Sequence, residues 1–299
     1  MVYKNPPLVE ALCVIHFTEP YPWDLTLFGL FYERLKKDFP YKESYALMGV
    51  EQNMILRITL SAEDNIRLPK SYNHYLQAFF YKNMDPILSN FLHNIGFVYN
   101  KRRFKLFTFS KIIGKIIKKE GDFIDFDNNI TVYFASPLID IVSSSVKNLI
   151  KNDGLFLANN KLYLNSIDVI KPEINQEDII VRCLSPITVY TTPVGQKRFQ
   201  YLNPWDEKFY QIIKDNLLKK YEIVYNKSYK GKVAVEPVKI CQKYKKKIVY
   251  RKTLIEAWEG YYRIKGSKEI LKLALEAGLG AKNPQGFGMV EVVKDVESY

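Results

Sequence analysis

The apolar residues of this chain run through one series of periods twice, and that repetition restricts the fold more than any single motif does. From Met54, Ile55–Leu60 reads as a strand, and Leu76, Phe79, Phe80 and Met84 then recur at helical spacing from Asn73. Asp85-Pro86 supplies an N-cap and a first-turn proline for a second helix through His93. Arg103–Ser110 alternates as one strand; 113–118, 121–125 and 130–134 follow as strands, with a helix near 137–151 and a strand at 161–170. The second series begins at Asp178 with a strand over 179–190 and a helix over 207–221 that turns Phe209, Ile212, Ile213 and Leu217 inward. Strands near 232–241, 246–251 and 254–265, a helix over 267–277 and a closing strand at 289–293 complete it. Each series is β-α-β-β-α-β, so the expected fold class is α+β: tandem ferredoxin-like (RRM-like) domains at 53–174 and 175–299. That arrangement hosts many chemistries and names none.

Residues 1–52 stand apart as an N-terminal extension. Pro6-Pro7 leads into a predicted strand at Leu8–Phe17, and Leu25–Phe39 fits an amphipathic helix. This segment holds five Lys/Arg against seven Asp/Glu, leaving 39 against 25 in the remainder of a chain whose net charge is +12. A positive excess on that scale attracts a polyanion, with nucleic acid and anionic membrane the usual candidates. Solubility alone would also account for it. No stretch approaches the roughly 20 apolar residues that span a bilayer, so a membrane partner is not expected. No basic region followed by a long apolar run opens the chain, which argues against a signal peptide. Cys13, Cys183 and Cys241 are scattered and without CxxC spacing, which suits structural thiols in a reducing, cytoplasmic setting.

Gly278-Leu279-Gly280-Ala281-Lys282-Asn283-Pro284-Gln285-Gly286-Phe287-Gly288 is the most specific stretch. Four glycines in eleven residues permit positive φ and close backbone approach. Exposed N–H groups there, with Lys282, could bind a phosphate; a tight turn packed on a neighbouring sheet is the plainer reading. The stretch follows a predicted helix, whereas a dinucleotide fingerprint must follow a strand and open a helix. A closing Gly-x-Gly-x5-Gly-x-Gly loop between helix and strand resembles the mark of the repeat-processing CRISPR endoribonucleases of the RAMP superfamily. Tyr72-Asn73-His74 with Leu76-Gln77 and Tyr81, Phe91-Leu92-His93, Lys105-Leu106-Phe107-Thr108-Phe109-Ser110, and Leu184-Ser185-Pro186-Ile187 resemble further segments of that family in its order. The likeness covers 54–295.

The resemblance implies cleavage of CRISPR repeat RNA in precursor transcripts by 2′-hydroxyl attack, giving 2′,3′-cyclic phosphate and 5′-hydroxyl ends, with no metal or other cofactor. The family triad falls on Tyr81, His93 and Lys105. Tyr81 would assist removal of the 2′-hydroxyl proton, His93 would protonate the 5′-oxygen, and Lys105 would stabilise the charged phosphate. Imidazole, titrating near 6.5, suits proton transfer; a phenol near 10 is a poor base unless cations lower it. His74 lies two helical turns before Tyr81 on the same face and is a rival participant, while His16 lies outside the likeness and reads as structural.

Basic patches extend the expectation to RNA contact by Lys101, Arg102 and Arg103, by Lys111, Lys115, Lys118 and Lys119, and by the 243–252 cluster with its tyrosines. The loop's Gly278, Gly280, Lys282, Gly286 and Gly288 are included as RNA-binding candidates. The family also implies retention of the guide RNA, an effector complex as partner, and a homodimer. A non-catalytic RNA-binding subunit is the alternative reading, and a nucleotide sensor using the glycine loop a weaker one. Asn5-Pro6-Pro7-Leu8-Val9-Glu10-Ala11-Leu12 with Pro22-Trp23-Asp24 and Leu30-Phe31-Tyr32-Glu33-Arg34-Leu35 resembles the opening of a separate uncharacterised family, whose role does not follow from its residues.

Overall fold

Both halves of the computed structural model carry a sheet of the same strand order. The structure describes residues 55–193, 195 and 199–293; the strand and helix expected within 1–52, with Cys13 and His16, lie outside them. In the first half, β1 (Ile55–Ser61) and β2 (Ile66–Pro69) precede helices α1 (Asn73–Lys82) and α2 (Pro86–Asn94). A hairpin of β3 (Phe97–Tyr99) and β4 (Arg102–Phe104) follows, then β5 (Thr108–Phe109), the β6–β7 hairpin (Ile116–Glu120, Phe123–Phe126) and β8 (Asn129–Ala135). Helix α3 (Ile139–Lys151) leads to β9 (Leu155–Leu157) and β10 (Asn160–Ile170). The sheet runs β5-β8-β1-β10-β9, every neighbouring pair antiparallel.

In the second half β11 (Asp178–Cys183) is followed by the short pair β12 (Tyr190–Thr191) and β13 (Gln200–Tyr201), then helix α4 (Glu207–Tyr225) and β14 (Ala234–Lys239). A hairpin of β15 (Lys245–Tyr250) and β16 (Thr253–Trp258) is inserted before β17 (Tyr261–Lys265), helix α5 (Lys268–Ala277) and β18 (Val290–Val293). The sheet order β14-β17-β11-β18 repeats the second-third-first-fourth pattern of the first half, as two ferredoxin-like units require. From Gln52 onward the chain forms one compact unit containing both sheets.

Each half has its own core. Leu56, Ile58 and Leu60 of β1 meet Leu76, Phe79 and Phe80 of α1 in the first; Phe209, Ile213 and Leu217 of α4 meet Val181 and Ile264 in the second. Three expected strands are broken. The one read over 103–110 ends at Phe104, because Leu106 turns the chain at φ 53° before β5 begins. The one read over 254–265 divides at Gly260, whose φ of 133° suits glycine alone. The strand read over 179–190 stops at Cys183, where Leu184 and Ser185 donate their N–H groups to the Met289 carbonyl.

Candidate active site

Helix α2 ends where its sequence demands. Asp85 caps its start, its carboxylate accepting from Ile87 and Leu88 N–H at 2.9 and 3.2 Å, and Gly96 at φ 69° terminates it. His93 therefore sits in the last turn, where backbone carbonyls lack helical partners. Two cations from the following chain fill that need: Lys105 Nζ donates to the His93 carbonyl at 3.0 Å, and Arg103 to the Asn94 carbonyl at 3.0 Å. Lys105 reaches back over Gly96, where a Cβ would lie 2.9 Å from its Cδ. The kink at Leu106 and the missing side chain at Gly96 together park an ammonium beside the histidine.

Tyr81 comes from α1, whose last turn packs on α2; Ser89 Oγ donates to the Tyr81 carbonyl at 2.8 Å. Its ring meets His93 edge-on with centroids 5.6 Å apart, and Phe107 at the same separation. The structure thus brings Tyr81, His93 and Lys105 into one cluster at the first half's edge. Burial, helped by Tyr250, pushes the Tyr81 phenol well above its ordinary value, so it stays protonated. Burial, with Arg103 nearby, lowers the Lys105 ammonium. His93 is exposed and its Nδ1 lies 2.7 Å from Asn94 Oδ1, an acceptor for the tautomer that carries its proton on Nδ1. The Asn94 amide in turn donates to Asn90 Oδ1.

His74 approaches the cluster through Tyr250: its Nδ1 pairs with the Ser71 carbonyl at 2.9 Å and its ring meets Tyr250 edge-on, centroids 6.2 Å apart. Lys101, Arg102 and Arg103 form the exposed β3–β4 hairpin, beside which Tyr99 bonds Glu222 of α4. Several basic-patch lysines already hold acids: Lys111 and Lys246 share Glu259, Lys245 pairs with Glu256, Lys115 with Asp127, and Lys118 with Glu120. Among the described residues, no three His, Cys, Asp or Glu side chains gather closely enough to hold a metal ion.

The glycine loop lies in the seam between the halves. All four glycines are buried at positive φ. The N–H groups of Leu279, Ala281 and Gly288 are engaged by the carbonyls of Gly288, Thr188 and Pro186. At Gly286 a Cβ would lie 2.6 Å from Phe109 and 2.7 Å from Asn73, whose amide donates to the Gln285 carbonyl at 3.0 Å. Thr108 Oγ1 donates to the Phe287 carbonyl at 3.3 Å. These glycines permit close packing of loop on α1 and β5. Lys282 is the loop's remaining cation, half-buried, with Nζ about 5 Å from the rings of Tyr190 and Phe199.

Lys220 went unread in the sequence, and Gln77 and Tyr250 were noted there only as parts of a motif and of a basic cluster. Lys220 is buried on α4, its Nζ donating to the carbonyls of Ala277 (3.0 Å) and Gly278 (2.7 Å) and to Asn283 Oδ1 (2.8 Å), which secures the loop's start. Its place on the apolar stripe of Phe209, Ile213 and Leu217 was the available signal. Gln77 and Tyr250 join across the halves, the Tyr250 hydroxyl bonding Gln77 Oε1.

Comparison with known proteins gives one consistent result. Residues 67–168 match the family profile described as CRISPR-associated protein Cas6, N-terminal, and 169–292 the one described as CRISPR associated protein Cas6, C-terminal. The chain is 28% identical to CRISPR-associated endoribonuclease Cas6 1 of Methanocaldococcus jannaschii over 82% of this chain and 95% of that protein. It is 29% identical to CRISPR-associated endoribonuclease Cas6 of Pyrococcus furiosus over 79% and 88%. A solved structure of a CRISPR associated protein Cas6 superposes with a TM-score of 0.66 at 25% identity, over 81% of this chain and 99% of that one.

Proposed function

Because this chain belongs to the Cas6 family of CRISPR-associated proteins, we propose that it is an endoribonuclease that cuts CRISPR repeat RNA at the Tyr81–His93–Lys105 cluster. The observation that carries the assignment is the gathering of three chemically suited groups from separate elements: rings of Tyr81 and His93 at 5.6 Å, and Lys105 Nζ 3.0 Å from the His93 carbonyl. The 2′-oxygen bonds to the adjacent phosphorus while the bond to the 5′-oxygen breaks. His93 Nε2, which has the lone pair in the tautomer that donates from Nδ1 to Asn94, takes the 2′-hydroxyl proton and returns it to the departing 5′-oxygen, so protons balance without a second base. Tyr81, kept as a phenol by burial, orients the ribose hydroxyl by hydrogen bonding; this replaces the base role first expected of it. Lys105 leaves its carbonyl for the phosphate and opposes the charge that develops there. No step calls for a metal ion.

We assign RNA contact by the first half to the exposed Lys101–Arg103 hairpin, and by the second to Lys282 and the exposed Lys243, Lys247, Arg251 and Lys252. The division at 174/175 then separates the catalytic half from the half bearing the loop. Retention of the guide, an effector-complex partner and a homodimer rest on the family alone. The test is single-turnover cleavage of repeat RNA in EDTA, with and without a 2′-deoxy residue at the cut. His93→Ala is expected to lose about 100- to 10,000-fold in rate with RNA binding retained. Undiminished cutting by that variant, or of the deoxy substrate, overturns the reading; a wild type that binds without cutting supports the RNA-binding subunit.

A further inference from the structure

Gln77 stands one turn before Tyr81 on α1, half-buried, at a position whose packing the first core does not require. Its carbonyl oxygen is taken by the hydroxyl of Tyr250, a residue from the far half that is itself 9% exposed. An amide has one acceptor end and one donor end. With Oε1 accepting from Tyr250, the Nε2 hydrogens are what Gln77 has left to offer, and among the described residues no acceptor takes them. Tyr250 also lies near enough to Tyr81 for a charge on one phenol to oppose ionisation of the other. Gln77, Tyr81 and Tyr250 are therefore neighbours in one site.

What holds Tyr250 there is the glycine loop. Tyr250 packs with Ile255, Ala257 and Phe287 in a small core of its own, and Phe287 lies between Gly286 and Gly288. The same loop is fastened to the start of α1 through Asn73. One end of α1 and the hairpin tip are thus registered against each other by eleven residues of loop.

We propose that Gln77 is a further catalytic residue, donating its amide N–H to a non-bridging oxygen of the scissile phosphate, and that Tyr250 is the positioning residue that aims it across the two halves. The inference rests on the endoribonuclease reading above and adds a neutral donor to the Lys105 cation. No bond changes at Gln77; it stabilises charge on oxygen as the 2′-oxygen attacks.

The experiment is a double-mutant cycle on the full-length protein, with single-turnover rates, RNA affinity and melting temperature measured in parallel. Gln77→Leu is expected to slow cutting about 100-fold, as loss of one aligned donor does, while RNA affinity stays within about threefold. Tyr250→Phe, which keeps the ring and its packing, should slow it about tenfold. The double variant should be no slower than Gln77→Leu, because Tyr250 acts through Gln77. Phosphorothioate diastereomers at the cut give a readout that a merely structural role would leave unmoved: wild type slows on the one that sulfurises the oxygen facing Gln77, and Gln77→Leu does not. Wild-type rates in Gln77→Leu, additive losses, or an unchanged sulfur effect overturn the proposal while leaving the enzyme reading intact. Failure of wild type to cut overturns that reading first, and this inference with it.

Discussion

Lys220 offers the sharpest quantitative test of how the second half is built. It is 2% exposed, and burial pushes its ammonium down to about 7. The unfolded chain holds that proton up to about 10.4. Between those values the unfolded state binds more protons than the folded one, so stability rises with pH; below about 7 both states are charged and the dependence vanishes. The slope within the window is about 1.4 kcal/mol per pH unit, which from pH 6 to pH 9 amounts to about 2.7 kcal/mol. Lys220→Met removes the titration while keeping an unbranched chain of similar length. It leaves the Ala277 and Gly278 carbonyls and Asn283 Oδ1 without this donor. Urea unfolding at pH 6, 7, 8 and 9 should therefore show wild type gaining about 2.7 kcal/mol on Lys220→Met across the series, since the remaining groups are common to both. Three carbonyl-type acceptors also match the three donors of a charged ammonium. A difference that stays flat to pH 9 would mean those acceptors hold the proton in place, and would refute the argument from burial.

Gly286→Ala places a methyl group 2.6 Å from Phe109 and 2.7 Å from Asn73 at φ 85°, and should destabilise the protein by about 2–4 kcal/mol in urea unfolding. Lys101→Ala with Arg102→Ala should lower the salt-dependence slope of RNA binding by about two, one per phosphate contact, with cleavage of the bound complex unchanged; an unaltered slope removes that hairpin from the interface.

The order of elements was legible because hydrophobic periodicity is local, and both β-α-β-β-α-β series stand where the apolar residues put them. The strand read through Lys105 was wrong for a reason that alternation cannot encode: Leu106 adopts a left-handed conformation, which serves to aim Lys105 back at α2. The three members of the cluster were found through resemblance to a family. Nothing in the spacing of 81, 93 and 105 states that a helix end, a neighbouring helix and a kinked connector converge. Gln77 and Tyr250 stand 173 residues apart, and their meeting depends on a loop that seals the seam. The glycines themselves were conspicuous, yet their number admitted anion binding as well as the plainer tight packing; the neighbours at Gly286 and Gly288 favour packing.

The resting position of Lys105 bears on what the enzyme will accept. Its ammonium is docked on the His93 carbonyl, and Arg103 occupies the next carbonyl along. An arriving ligand must outbid that internal tether before the lysine is released to it. On the mechanism proposed above, the helix end holds the lysine at rest, and RNA would have to draw it off that carbonyl before it could meet the phosphate.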